Sequence, residues 1–221
     1  MKSQGLAKAV AIGLAIGAAM LLSTGGAFAS EALKLNFVTH AAFFSQETKQ
    51  PQAIDPQVFV HDPAAAEAVG PQGIKHAAGL RPARIDEDAK TTPLFTALDK
   101  PLGFDLGAWL GASGGGVVSD DAGKITLVGT FAGLRPNGHY GLFENHFDQK
   151  PIGFTPMDGT GLTNSLIAGP DGSAKVAMAL THVPTHANAV LLVYHSDGET
   201  HGLERGRIGV DAHHQAIARP E

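Results

Sequence analysis

Eleven histidines and no cysteine bound the chemistry open to this chain. Eight of the histidines stand at or after position 139: His139, His146, His182, His186, His195, His201, His213 and His214. Neutral imidazole is the commonest protein ligand for copper, zinc and related ions. With no thiolate, a metal here must be held by His, Asp, Glu or backbone oxygen. Cysteine nucleophiles are excluded for the same reason.

Four segments carry these imidazoles. In "GHYGLFENHF", 138–147, His139 and His146 differ by seven positions. Same-face residues on a strand differ by even numbers, so Glu144 with His146 is the better local pair. In "THVPTHAN", 181–188, His182 and His186 have helical spacing, but Pro184 disfavours a helix. That segment reads as a loop with an imidazole near each end. In "VYHSDGETHG", 194–202, His195 ends an apolar run, the SDG turn follows, and His201 stands where a return strand would begin. A hairpin there would bring the two rings together, with Asp197 and Glu199 as oxygen ligands or acceptors. This segment makes the strongest case. In "DAHHQ", 211–215, neighbours on a strand face opposite ways, so one of His213 and His214 can join a core-side site. Asp211 and His213 share a face. Ser196 lies between His195 and Asp197, which are the residue types of a hydrolytic triad. Residues adjacent in sequence rarely have triad geometry, and no Gly-x-Ser-x-Gly elbow is present.

The elements that must position these residues read as strands. "SDDAG" (119–123), "RPNG" (135–138), "GPDG" (169–172) and "SDG" (196–198) are turn chemistry. Short apolar runs lie between them: Phe104–Leu110, Lys124–Phe131, His139–Phe147, Leu162–Ala168, Ser173–Leu180 and Ala189–His195. In 173–180, Ala174, Val176, Met178 and Leu180 alternate with Ser173, Lys175, Ala177 and Ala179, the pattern of a strand with one buried face. "NAVLLVYHS" is apolar on both faces and predicts a central strand. Many short strands with recurrent turns predict a sandwich or barrel. Residues 30–100 differ. They are rich in Ala, Pro and Gln, and Pro51, Pro56, Pro63 and Pro71 interrupt any long helix. Lys34–Phe44 and Gln57–Val60 read as extended there, and Ala64–Val69 as a short helical piece.

The N-terminus has the make-up of an export signal. Lys2 and Lys8 precede the uncharged apolar run Ala9–Leu22, and Ala27-Phe28-Ala29 fits a cleavage site. The run is short of the roughly 20 apolar residues that cross a bilayer. Cleavage after Ala29 removes two lysines, which takes the formal charge from −5 to −7. That balance argues against a nucleic-acid partner, which selects a basic face.

The stretch "ITLVGTFAGLRPNGHYGLFENHF", 125–147, resembles a segment of exported Cu/Zn superoxide dismutase-like and CHRD-type β-sandwich domains. Gly129, Gly133, Leu134, Pro136, Gly138, His139 and Gly141 carry the likeness. It implies a sandwich fold and a metal as the ligand class. The His-x-His of the dismutases is absent, and so is their disulfide, so the resemblance does not imply dismutase activity.

The expectation is a periplasmic or secreted all-β protein, a Greek-key-like antiparallel β-sandwich. Residues 1–29 form the signal peptide, 30–100 an irregular Pro/Ala-rich arm, and 101–221 the sandwich domain. Its site would bind Cu or Zn through three or four of His139, His146, His182, His186, His195, His201, His213 and Glu144, for catalysis or carriage. The alternative is a non-catalytic envelope interaction or structural module. In it the histidines face solvent and the arm meets an envelope protein.

Overall fold

Alternation and turn chemistry build the strands in the way the sequence implies. Ala174, Val176 and Met178 are buried while Lys175, Ala177 and Ala179 are exposed. Ala189–His195 is buried at all seven positions. Ala122 and Gly123 both take positive φ in the tight turn between Ser113–Asp121 and Lys124–Ala132, as a two-residue hairpin turn requires.

The computed structural model describes residues 32–87 and 90–221. The signal peptide expected at 1–29 lies outside the described residues. The first half contains β1 (Leu33–Thr39), α1 (His40–Glu47), β2 (Ile54–His61), β3 (Ala68–Val69), β4 (Lys75–His76), β5 (Leu80–Arg84), β6 (Pro93–Phe95), β7 (Pro101–Asp105) and α2 (Leu106–Leu110). The second contains β8 (Ser113–Asp121), β9 (Lys124–Ala132), β10 (His139–His146), β11 (Gly153–Pro156), β12 (Ser165–Ile167), β13 (Ala174–Ala179), β14 (Ala189–His195) and β15 (Ala212–Ala218). Among the described residues no helix is long and apolar enough to cross a membrane.

The fold is all-β and sandwich-like. The large sheet runs β11-β10-β14-β15-β1-β8-β9-β13, and β12 also pairs with β10. It curls so that one face surrounds a single core containing Leu35, Leu127, Tyr140, Leu142, Val176 and Leu192. β1 joins the two halves: Leu33–Phe37 pair with β8, and Val38 and Thr39 pair with β15.

The segment expected to be an irregular arm is instead built into this structure. Beyond β1, it forms most of a second sheet in the order β5-β2-β6-β7. Val58, Val60, Leu94, Leu102, Phe104 and Trp109 enter the same core as the large sheet, so no boundary falls at residue 101. Pro56 is accommodated where the β2–β5 ladder breaks, between Asp55 and Phe59, which spares it the need for an amide hydrogen, while Pro51, Pro63 and Pro71 fall outside the strands. The chain expected to be extended through Phe44 turns helical at His40, and residues 64–69, expected to be helical, form irregular chain and the short strand β3 instead.

A buried polar seam joins the two sheets. The Trp109 indole N–H donates to Asp55 Oδ2 at 2.9 Å, and the Gln57 amide donates to Asp55 Oδ1 at 2.9 Å. Burial still pushes the Asp55 carboxyl up to about 6. On the facing strand, register shifts between Leu192 and Val193, leaving Gln215 as the extra residue of a bulge. Gln215 Nε2 donates to the Trp109 carbonyl at 3.0 Å.

Candidate functional site

His213 and His214 are adjacent on β15 and so point to opposite sides of the sheet. Both are fully buried, and one residue of the second sheet holds both. His213 Nδ1 lies 3.0 Å from the Gln57 carbonyl, which can only accept, so the His213 proton sits on Nδ1. The His214 backbone N–H donates to Gln57 Oε1 at 2.7 Å, which orients the amide. Gln57 Nε2 then donates to His214 Nδ1 at 3.1 Å and to Gln72 Oε1 at 2.8 Å. The neutral His214 ring therefore carries its proton on Nε2, and that nitrogen has no partner.

His214 reaches the outer face of the sheet, where α1 lies. His40, Phe43, Phe44, Glu47 and Thr48 stand at helical positions i, i+3, i+4, i+7 and i+8 and form one stripe. That stripe walls a cleft of about 370 Å³. Phe147, Ile152, Phe154, Ile208 and Ile217 close the other sides. α1 is anchored by Ser45, whose hydroxyl bonds both the amide and the carbonyl of Ile54 at 3.0 Å.

Three cleft side chains carry the electrostatics. His40 and His214 meet edge to face with ring centroids 4.9 Å apart. Arg205 lays its guanidinium 3.6 Å from the centre of the Phe154 ring. Among the described residues Arg205 forms no hydrogen bond or ion pair, and burial lowers it to about 10. His40 is pushed down to about 3, by burial first and by Arg205 second. His214 is pushed well down by burial, then by His40 and Arg205. At the rim, Arg219 pairs with Glu47 at 3.3 Å and sits 5.0 Å from the Phe147 ring centre. With the imidazoles neutral and that pair cancelled, Arg205 leaves the cleft one unbalanced positive charge. His40 Nδ1, His214 Nε2, Arg205 Nε and Asn145 Oδ1 are all buried without partners.

The residues singled out in the sequence fall into separate places. His195 is buried, and its ring stacks on His201 at 4.4 Å with planes 15° apart. His201 Nε2 bonds Asp197 at 2.8 Å. His139 is opposite His195 in register, its Nδ1 3.5 Å from the Thr200 hydroxyl. Gly141 makes room for His195, since a Cβ there would lie 3.1 Å from Nε2. Toward the far end of β10, roughly 17 Å from His139 along the strand, Glu144 accepts from His182 at 2.7 Å and from Asn188 at 3.2 Å. His146 bonds the Thr155 hydroxyl at 2.8 Å and meets Asn188 at 3.3 Å. His186 bonds the Pro220 carbonyl at 2.6 Å, apart from both groups.

Among the described residues, no group of three or more His, Asp or Glu side chains is placed to hold a metal. Two rings that share an ion turn their nitrogens toward one point about 2 Å away. The stacked His195 and His201 rings direct their lone pairs side by side instead. Ser196 contacts His213 Nε2 at 3.1 Å rather than His195, and its amide is spent on the Asp211 carbonyl. It offers no free amide for an oxyanion.

The cleft residues His40 and Arg205 escaped the sequence reading. The His213–His214 pair held one available signal: if one ring enters the core, the other must meet a second layer. No protein-family model matches the chain, and no curated protein matches it.

Four buried imidazoles make the fold sensitive to acid. Burial lowers His195 and His213 to about 4, His40 to about 3 and His214 well down. His195 faces His201, Asp197, Asp211 and His213, and His214 faces His40 and Arg205. From pH 6.5 down to about 4 the unfolded chain binds more protons at these sites than the folded one. Stability therefore falls as pH falls, on the order of 1 kcal/mol per unit for each ring. Asp55, raised to about 6, opposes this, but it is one group against four. The urea midpoint is expected to drop steeply between pH 7 and pH 5. A midpoint that holds or rises over that range contradicts the buried, neutral rings.

Proposed function

We propose that this protein is an exported binding module whose outer cleft takes up a small apolar molecule. The observation that carries the reading is the cleft itself, about 370 Å³ and walled by Phe43, Phe44, Phe147 and Phe154, with His40, His214 and Arg205 in its lining. A concave, mostly apolar cleft with a few polar side chains in its lining is the usual form of a small-molecule site. At roughly 30 Å³ per water-sized group, the cleft has room for about twelve non-hydrogen atoms.

Export rests on Lys2, Lys8, the apolar run Ala9–Leu22 and Ala27-Phe28-Ala29. The expected intact mass of protein recovered from the cell envelope or medium is that of a chain starting at Ser30. Recovery of the full-length chain from the cytosol alone contradicts export. A Cu or Zn role has one local pairing behind it, His195 beside His201, without the third donor that a structural site needs.

The cleft is tested with 1-octanol, whose nine heavy atoms match its volume. Proton NMR is expected to show saturable shifts in the rings of Phe43, Phe147 and Phe154, which disappear in the cleft-filling variant Ile217→Trp. Shifts spread over the whole protein, or unchanged by Ile217→Trp, contradict the reading.

A further inference from the structure

The cleft has a polarity as well as a volume. Its apolar walls end at Arg205, whose guanidinium packs on Phe154 and has no carboxylate among the described residues to balance it. The second guanidinium at the rim, Arg219, is already paired with Glu47. A planar guanidinium with parallel N–H donors matches a carboxylate in shape and charge. Arg205 Nε is sealed from solvent, so its terminal nitrogens are the donors that a bound molecule can reach. His214, neutral and with its proton on the equally sealed Nε2, brings no second positive charge to the cleft.

Resting on the cleft reading above, we propose that the ligand is an unbranched amphipathic monocarboxylate of about eight carbons in all. Its carboxylate lies against Arg205, and its tail lies among Phe43, Phe147 and Phe154. One unbalanced cation selects one negative charge. A phosphate monoester brings close to two charges at neutral pH and meets only one, and Glu47 at the rim repels the excess. Ten heavy atoms of octanoate fit the room for about twelve.

The test pairs octanoate with 1-octanol, which has the same number of carbons and no charge, in calorimetric titrations of the unsubstituted protein at neutral pH. Octanoate is expected to bind at least about tenfold more tightly, the worth of a hydrogen bond to a charged group. Rising salt is expected to narrow the gap, because screening weakens the ion pair. In Arg205→Met the gap between the two ligands is expected to close. Equal affinity for the two ligands in the unsubstituted protein overturns the carboxylate assignment and leaves the apolar cleft standing. Binding of neither ligand overturns both. The comparison on the unsubstituted protein decides the point even where Arg205→Met fails to fold.

Discussion

The Gln57 side chain is the constraint on which the rest of the structure turns. A polar residue of the second sheet is fully buried against β15, and its amide and carbonyl satisfy two neighbouring histidines at once. Buried amides are costly unless every donor and acceptor is met. Here the Asp55 carboxylate receives the Gln57 backbone N–H, and Gln72 receives the second amide hydrogen. The bulge at Gln215 lets His213 face the core while His214 faces α1. A seam of hydrogen bonds running from Trp109 through Asp55 and Gln57 to His214 therefore connects the interior of the sandwich to the floor of its outer cleft.

The second half of the fold was legible because its strands obey period two and its turns carry Gly, Asn and Asp. β13 alternates as read, and β14 is buried on both faces as read. The first half was not legible for a specific reason. Its prolines look like breakers, yet Pro56 and Pro82 lie at the irregular part of the β2–β5 ladder, where Phe59 pairs with Pro82. Tertiary packing of Val58, Val60 and Leu102 against the large sheet then outweighs local composition.

The histidines show the limit of reading a site from a strand sequence. Spacing paired Glu144 with His146, and both contact Asn188; it paired His195 with His201, and their rings stack. It could not place those groups relative to one another, because they sit at opposite ends of β10. The cleft depends on contacts far apart in sequence: residue 40 touches 214, and Arg205 covers Phe154. The same low-dielectric packing that keeps the rings neutral makes the fold sensitive to acid.

Nitrogen NMR of the imidazole rings tests the seam most directly, because each tautomer is dictated by a single Gln57 contact. At pH 7 the account predicts neutral rings with opposite tautomers, the proton on Nδ1 in His213 and on Nε2 in His214, and neither ring charging before the protein unfolds in acid. The same tautomer in both rings, or an imidazolium in the folded protein near pH 6, would contradict it.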